Sequence, residues 1–124
     1  MPDVKVFKLD YEEILGRLRE YAKRKLSDNV FAILLIGSLA RGDYTAFSDA
    51  DIVVIVKSDV RRFIDRIPEY IDTDLGIDID PRVYTLDEIL KICRERRKLI
   101  KEIIDYGILL AGDQRILDRL RECI

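Results

Sequence analysis

Two continuous apolar runs constrain this chain more than any other feature: "VFAILLI" at residues 30–36 and "IVVIV" at residues 52–56. An unbroken run of this length, rich in β-branched residues, has no polar side to offer to water. Each therefore reads as a buried strand, Val30 to Ile36 ended by Gly37, and Asp49 to Val56. The rest of the chain has to cover them.

The remaining pattern supplies the cover. Residues 10–26 carry Tyr11, Ile14, Leu15, Leu18 and Ala22 at helical spacing, with Asp10 placed as the cap and Glu13 three positions on. Ser58 or Asp59 is expected to cap a helix bearing Val60, Phe63, Ile64 and Ile67, which Pro68 breaks or kinks. "IDIDPRVY" alternates from Ile77 to Tyr84, with Ile77, Ile79, Pro81 and Val83 on one side and Asp78, Asp80, Arg82 and Tyr84 on the other. Its proline suits an edge strand or a bulge. Thr85 to Glu88 reads as a capping box opening a helix that bends or breaks near Arg94 to Lys98 and ends at Gly107. "ILLAG" is a short fourth strand, and Asp113 caps a last helix with Ile116, Leu117 and Leu120 inward. The expected fold is α+β, one domain over residues 1–124, with helices packed on a small mixed sheet.

Composition narrows the chemistry. There is no histidine, which removes Ser-His, Cys-His and His-ligated metal mechanisms within this chain. Net charge is −2, so no overall basic field draws it to nucleic acid or a membrane surface. The basic run Arg94 to Lys101 reads mainly as the solvated side of a helix, so nucleic-acid binding is not expected. No apolar run approaches the roughly 20 residues that span a bilayer, and the N-terminus lacks a signal-peptide core. The cytoplasm is the default location. Cys93 and Cys123 are too few and too far apart for a metal knuckle. They read as reduced thiols, a disulfide being reserved for a hyperthermophilic source.

What the runs frame is a polar loop ending in paired carboxylates. Asp49 and Asp51 lie two apart at the head of a strand, so both face the same side. Such a pair on a solvated strand face is common and needs no special role. Placed close together out of water, the two repel, and a divalent cation resolves the conflict by taking carboxylate oxygens together with substrate phosphates. Upstream, Gly37 permits a tight turn that gathers backbone N–H groups. If Ser38 to Arg41 forms a helical turn, its amino end favours phosphate, Ser38 donates its hydroxyl, and Arg41 grips two phosphate oxygens. Arg41 has a second reading as an ion pair that orients the aspartates. Phosphate donors one strand away from paired carboxylates point to nucleoside triphosphate chemistry.

These residues also carry a family resemblance. "GSLARGDYTAFSDAD" resembles the G-S-x-x-R-G…S-D-x-D signature of the DNA polymerase beta nucleotidyltransferase superfamily, with Gly37, Ser38, Arg41, Gly42, Ser48, Asp49 and Asp51 matching. It is most similar to the minimal nucleotidyltransferases, and "IDPRVYTLDEI" and "DYGILLAG" extend the likeness over most of the chain. The resemblance implies a nucleotidyltransferase-like fold and a third metal-binding carboxylate on a later strand. By position either Asp78 or Asp80 could serve; the resemblance selects Asp80, with Asp78 solvated or supporting. Pro81 departs from the β-branched residue usual there.

The resemblance further implies transfer of a nucleoside monophosphate, AMP above all, from an NTP such as ATP to an acceptor hydroxyl, with release of pyrophosphate. Asp49, Asp51 and Asp80 would hold two Mg²⁺ ions and form the catalytic set. Gly37, Ser38, Arg41 and Ser48 would form the nucleotide-binding set. Minimal members are often paired with an all-helical HEPN-type protein in toxin–antitoxin systems, so such a partner is expected, and a homodimer is compatible with the sequence. The C-terminal stripe Ile116, Leu117, Leu120 and Ile124 could meet that partner, although stripes of this kind more often face the core. The alternative function is an antitoxin-type binding module that neutralises its partner with little or no catalysis.

Overall fold

A computed structural model describes residues 2–45, 47–95 and 97–123. Arg96 and Ile124, and the side chains of Asp10 and Arg97, lie outside what is described. Among the described residues, four strands, β1 (Val30–Ile36), β2 (Ala50–Val56), β3 (Ile79–Thr85) and β4 (Ile108–Gly112), form one sheet in the order β3-β2-β1-β4. β1 is antiparallel to both β2 and β4, while β2 and β3 run parallel, so the sheet is mixed. The described helices are α1 (Pro2–Lys25), α2 (Gly37–Arg41), α3 (Leu86–Glu95), α4 (Arg97–Tyr106) and α5 (Arg115–Arg121), with a 3₁₀ helix at Phe63–Tyr70.

The apolar runs are continuous because the central strands are covered on both faces. Ile33, Leu35, Ile52 and Val54 point to one side and pack with Leu15, Leu18, Tyr21 and Ala22 of α1. Leu34, Ile36, Val53 and Ile55 point to the other and pack with residues of α3, α4 and α5, among them Ile89, Ile100, Ile103 and Leu120. Each such side chain stabilises the fold by roughly 1.5–3 kcal/mol relative to exposure. The C-terminal stripe is therefore core: Ile116, Leu117 and Leu120 are all buried. β3 lies at the sheet edge, and Pro81 pairs in regular register opposite Ile52 without a bulge.

Three expectations change. α1 begins at Pro2, so Asp10 lies inside the helix rather than at its cap; proline suits a first helical position because it has no N–H to satisfy. The segment after β2 is not an amphipathic helix from Ser58 or Asp59. The Asp59 carboxylate accepts the Arg61 N–H in a local turn, Val60 and Ile64 are exposed, and the inward side chains of the 3₁₀ helix are Arg66 and Tyr70. Arg66 is buried because Glu88 and the carbonyls of Val83 and Arg61 accept its N–H groups. Finally, Cys93 and Cys123 are joined in a disulfide, with Cα atoms 5.7 Å apart, rather than being free thiols. Cys93 of α3 lies against the end of α5, its sulfur 3.6 Å from the Leu120 carbonyl, which brings it to Cys123 across 30 residues of sequence.

Candidate active site

Gly37 is where the chain leaves the sheet. Its φ of +78° is a conformation that a side chain would strain, and it turns β1 directly into α2. Gly42, at φ +90°, ends that turn by donating its N–H to the Ser38 carbonyl. The expected helical turn at Ser38 to Arg41 is thus present. Ser38 Oγ lies 3.1 Å from Ser48 Oγ, and Ser48 Oγ accepts the Thr45 N–H at 2.8 Å, so the two serines tie the start of α2 to the loop before β2.

The carboxylates enter from the neighbouring strands. Asp51 pairs with Ile36 across the β1–β2 ladder, and its side chain lies against Gly37, where a Cβ at position 37 would collide with the carboxylate. On its other side Asp51 stands in register with Asp80 of the parallel β3. Burial, reinforced by the nearby charge of Asp80 and to a smaller degree of Asp49 and Glu102, pushes the Asp51 carboxyl above its ordinary range; Arg82 opposes that shift. Arg82 lies 3.9 Å from Asp80, a weak positive counterpart. Asp49 is exposed at the mouth of the site. Asp78 precedes β3; its carbonyl accepts the Ala50 N–H at 2.8 Å. With Asp49, Ile14, Thr73 and Ile77 it lines an adjoining cavity of about 370 Å³.

Among the described residues, no three carboxylates are gathered in the arrangement of an ion cage. The donor set nevertheless fits a hard divalent cation. It offers oxygen only, it includes a carboxylate whose ionisation is opposed by burial and by neighbouring carboxylates, and a cavity adjoins it at Asp49.

Among the described residues, Arg41 has no ion pair with Asp49 or Asp51. Its Nη1 donates to Glu102 at 2.8 Å and its Nε to Asp43 at 3.3 Å, and these carboxylates, Asp43 first, keep it firmly protonated. Glu102 also accepts the Gly37 N–H, at 3.2 Å. Sequence reading missed Glu102 because it stands 65 residues from Gly37 on a separate helix. Its only local signal is a place on α4 next to the buried Ile103.

A mixed sheet clothed by helices, with a glycine turn against an in-register carboxylate pair, defines an α+β domain of the nucleotidyltransferase fold. The chain belongs to the family of the nucleotidyltransferase domain, whose model matches residues 15–110. It is 42% identical over 53 residues to MJ1305 of Methanocaldococcus jannaschii, described as a candidate protein adenylyltransferase. That match takes in 43% of this chain and spans 36% of the relative's length. A toxin–antitoxin complex solved with AMP-PNP contains a similar fold, with a TM-score of 0.58 at 17% identity over 87% of this chain and 84% of that one. A nucleotidyltransferase-type protein of Sulfolobus solfataricus is similar as well, with a TM-score of 0.55 at 22% identity over 80% of each chain.

Proposed function

We propose that this chain transfers AMP from ATP to a hydroxyl group on a partner protein, in a Mg²⁺-dependent reaction that releases pyrophosphate. The observation that carries this reading is the contact of the Asp51 carboxylate with Gly37 while Asp80 flanks it in register. In this reading the contact brings the phosphate donors next to the oxygens that would hold the metal. The family supplies the reaction class, and the M. jannaschii relative suggests the adenylyl group and a protein acceptor.

Each residue has a task in this scheme. The Gly37 N–H and the Ser38 hydroxyl hold the terminal phosphates, and Arg41 neutralises charge on the leaving pyrophosphate. Ser48 keeps Ser38 in place. Asp49 and Asp51 would hold the cation that accompanies the nucleotide, and together with Asp80 they would hold a second. When bound, Mg²⁺ screens the phosphates and lowers the pKa of the attacking hydroxyl. Asp80 is placed to take up the proton released there. Asp80 is preferred to Asp78 because its register sets it next to Asp51, whereas Asp78 lines the adjoining cavity. The partner is a small all-helical protein of HEPN type, the pairing is antitoxin-like, and its setting is the cytoplasm. No described helix is long and apolar enough to cross a membrane.

The test uses ATP labelled at its α-phosphate, Mg²⁺, and the protein that co-purifies with the chain. Label should pass to that protein, and Asp49→Asn with Asp51→Asn should abolish transfer while the fold is kept. Transfer by the double variant would overturn the assignment. A double variant that transfers nothing yet neutralises its partner as well as wild type would favour the binding-module function.

A further inference from the structure

We infer that Glu102 is an internal anion that sits on the phosphate donors of the nucleotide-free protein, gives way to the triphosphate, and so sets nucleotide affinity. The inference rests on the site proposed above. One oxygen, Glu102 Oε1, accepts both the Gly37 N–H at 3.2 Å and Arg41 Nη1 at 2.8 Å. These are two of the donors assigned to the phosphates, one from the backbone turn and one from the guanidinium. A carboxylate oxygen and a phosphate oxygen cannot both take the same backbone N–H in good geometry, so the two anions compete.

Only the side chain has to move. α4 is fixed through Ile100 and Ile103, which are buried, whereas the Glu102 side chain keeps 30% of its exposure and can turn to water. Arg41 does not lose its position when Glu102 leaves, because Asp43 still accepts from Nε at 3.3 Å while Nη1 becomes free. Glu102 also adds negative charge near Asp51, so its departure from the cradle eases the entry of a further anion.

The competing view is that Glu102 is a strap that holds Arg41 ready for phosphate. The two views predict opposite signs. Titration calorimetry with inorganic tripolyphosphate in metal-free buffer, and with AMP-PNP and Mg²⁺, reads the sign for wild type, Glu102→Gln and Glu102→Ala. Both variants should bind both probes tighter, by about tenfold for the alanine, as expected when one charge-assisted contact no longer competes. Unchanged or weaker binding in both variants overturns the inference, as does failure of every form to bind tripolyphosphate. Neither arm requires turnover: absence of label transfer with tighter tripolyphosphate binding would sink the proposed reaction and leave the role of Glu102 standing.

Discussion

The Asp51 carboxylate fills the space that a side chain at Gly37 would occupy, so the phosphate turn and the carboxylate strand meet in direct contact. Two requirements fall on one glycine: a φ of +78° and the absence of a Cβ. Either alone disfavours substitution, and together they leave no cheap alternative.

Gly37→Ala should therefore destabilise the fold by roughly 1–3 kcal/mol, the usual cost of a side chain held in the left-handed region. It should lower transfer by about a hundredfold, because the displaced Asp51 misaligns the reacting groups. Urea denaturation and label transfer check the two arms. Adding Asp51→Ala should recover part of the lost stability and none of the activity. No recovery would mean that the contact with Asp51 is not the source of the strain.

Asp51 itself trades stability for charge. Its folded pKa is raised by burial and by Asp80, so the fold binds that proton more tightly than the unfolded chain does. The resulting penalty is absent in acid, grows as pH rises from the ordinary carboxylate range through the raised value, and is complete above it. Asp51→Asn should raise the melting temperature near neutral pH by roughly 2–5 °C in metal-free buffer, with the gain shrinking in acid. Transfer should be lost. A melting temperature that does not rise would show that Asp51 carries no such penalty.

The legible parts of the molecule are those written locally. The two apolar runs gave the central strands because both faces of β1 and β2 are covered, and the capping box at Thr85 appears as reciprocal bonds with Glu88. The loop residues Gly37, Ser38, Ser48 and Asp51 are within reach of one another because a single turn and a single ladder connect them. What stayed hidden depends on pairs distant in sequence. By alternation alone Asp78 and Asp80 have equal claims and the resemblance is what favours Asp80; in the structure Asp78 precedes β3, and the β2–β3 register sets Asp80 next to Asp51. Glu102 reaches the cradle from α4, and the bridge between Cys93 and Cys123 depends on how α5 packs. The stretch from Val60 to Ile67 misleads because its apolar residues are largely exposed while an arginine turns inward.

That arginine is bonded to the strand that carries Asp80. Arg66 donates to the Val83 carbonyl of β3 at 3.1 Å and to Glu88 at the start of α3, with its side chain only 5% exposed. Arg66→Met should cost about 3 kcal/mol, because the Val83 carbonyl and the Glu88 carboxylate both lose the arginine's N–H groups, the carboxylate keeping its bond from Thr85. The hydrogen bond from Arg66 holds the Glu88 carboxyl below its ordinary value. Its contribution is therefore present above the ordinary carboxylate range and is lost as pH falls through the depressed value. Glu88→Gln keeps the acceptor for Arg66 and Thr85 but not the charge; since Glu88 reaches solvent, it should cost well under half as much as Arg66→Met. Melting temperatures followed from neutral pH into acid separate the two variants. Both should flatten the acid slope, and only Arg66→Met should lower stability strongly at neutral pH. An unchanged acid slope in Glu88→Gln would show that this carboxylate is not coupled to folding.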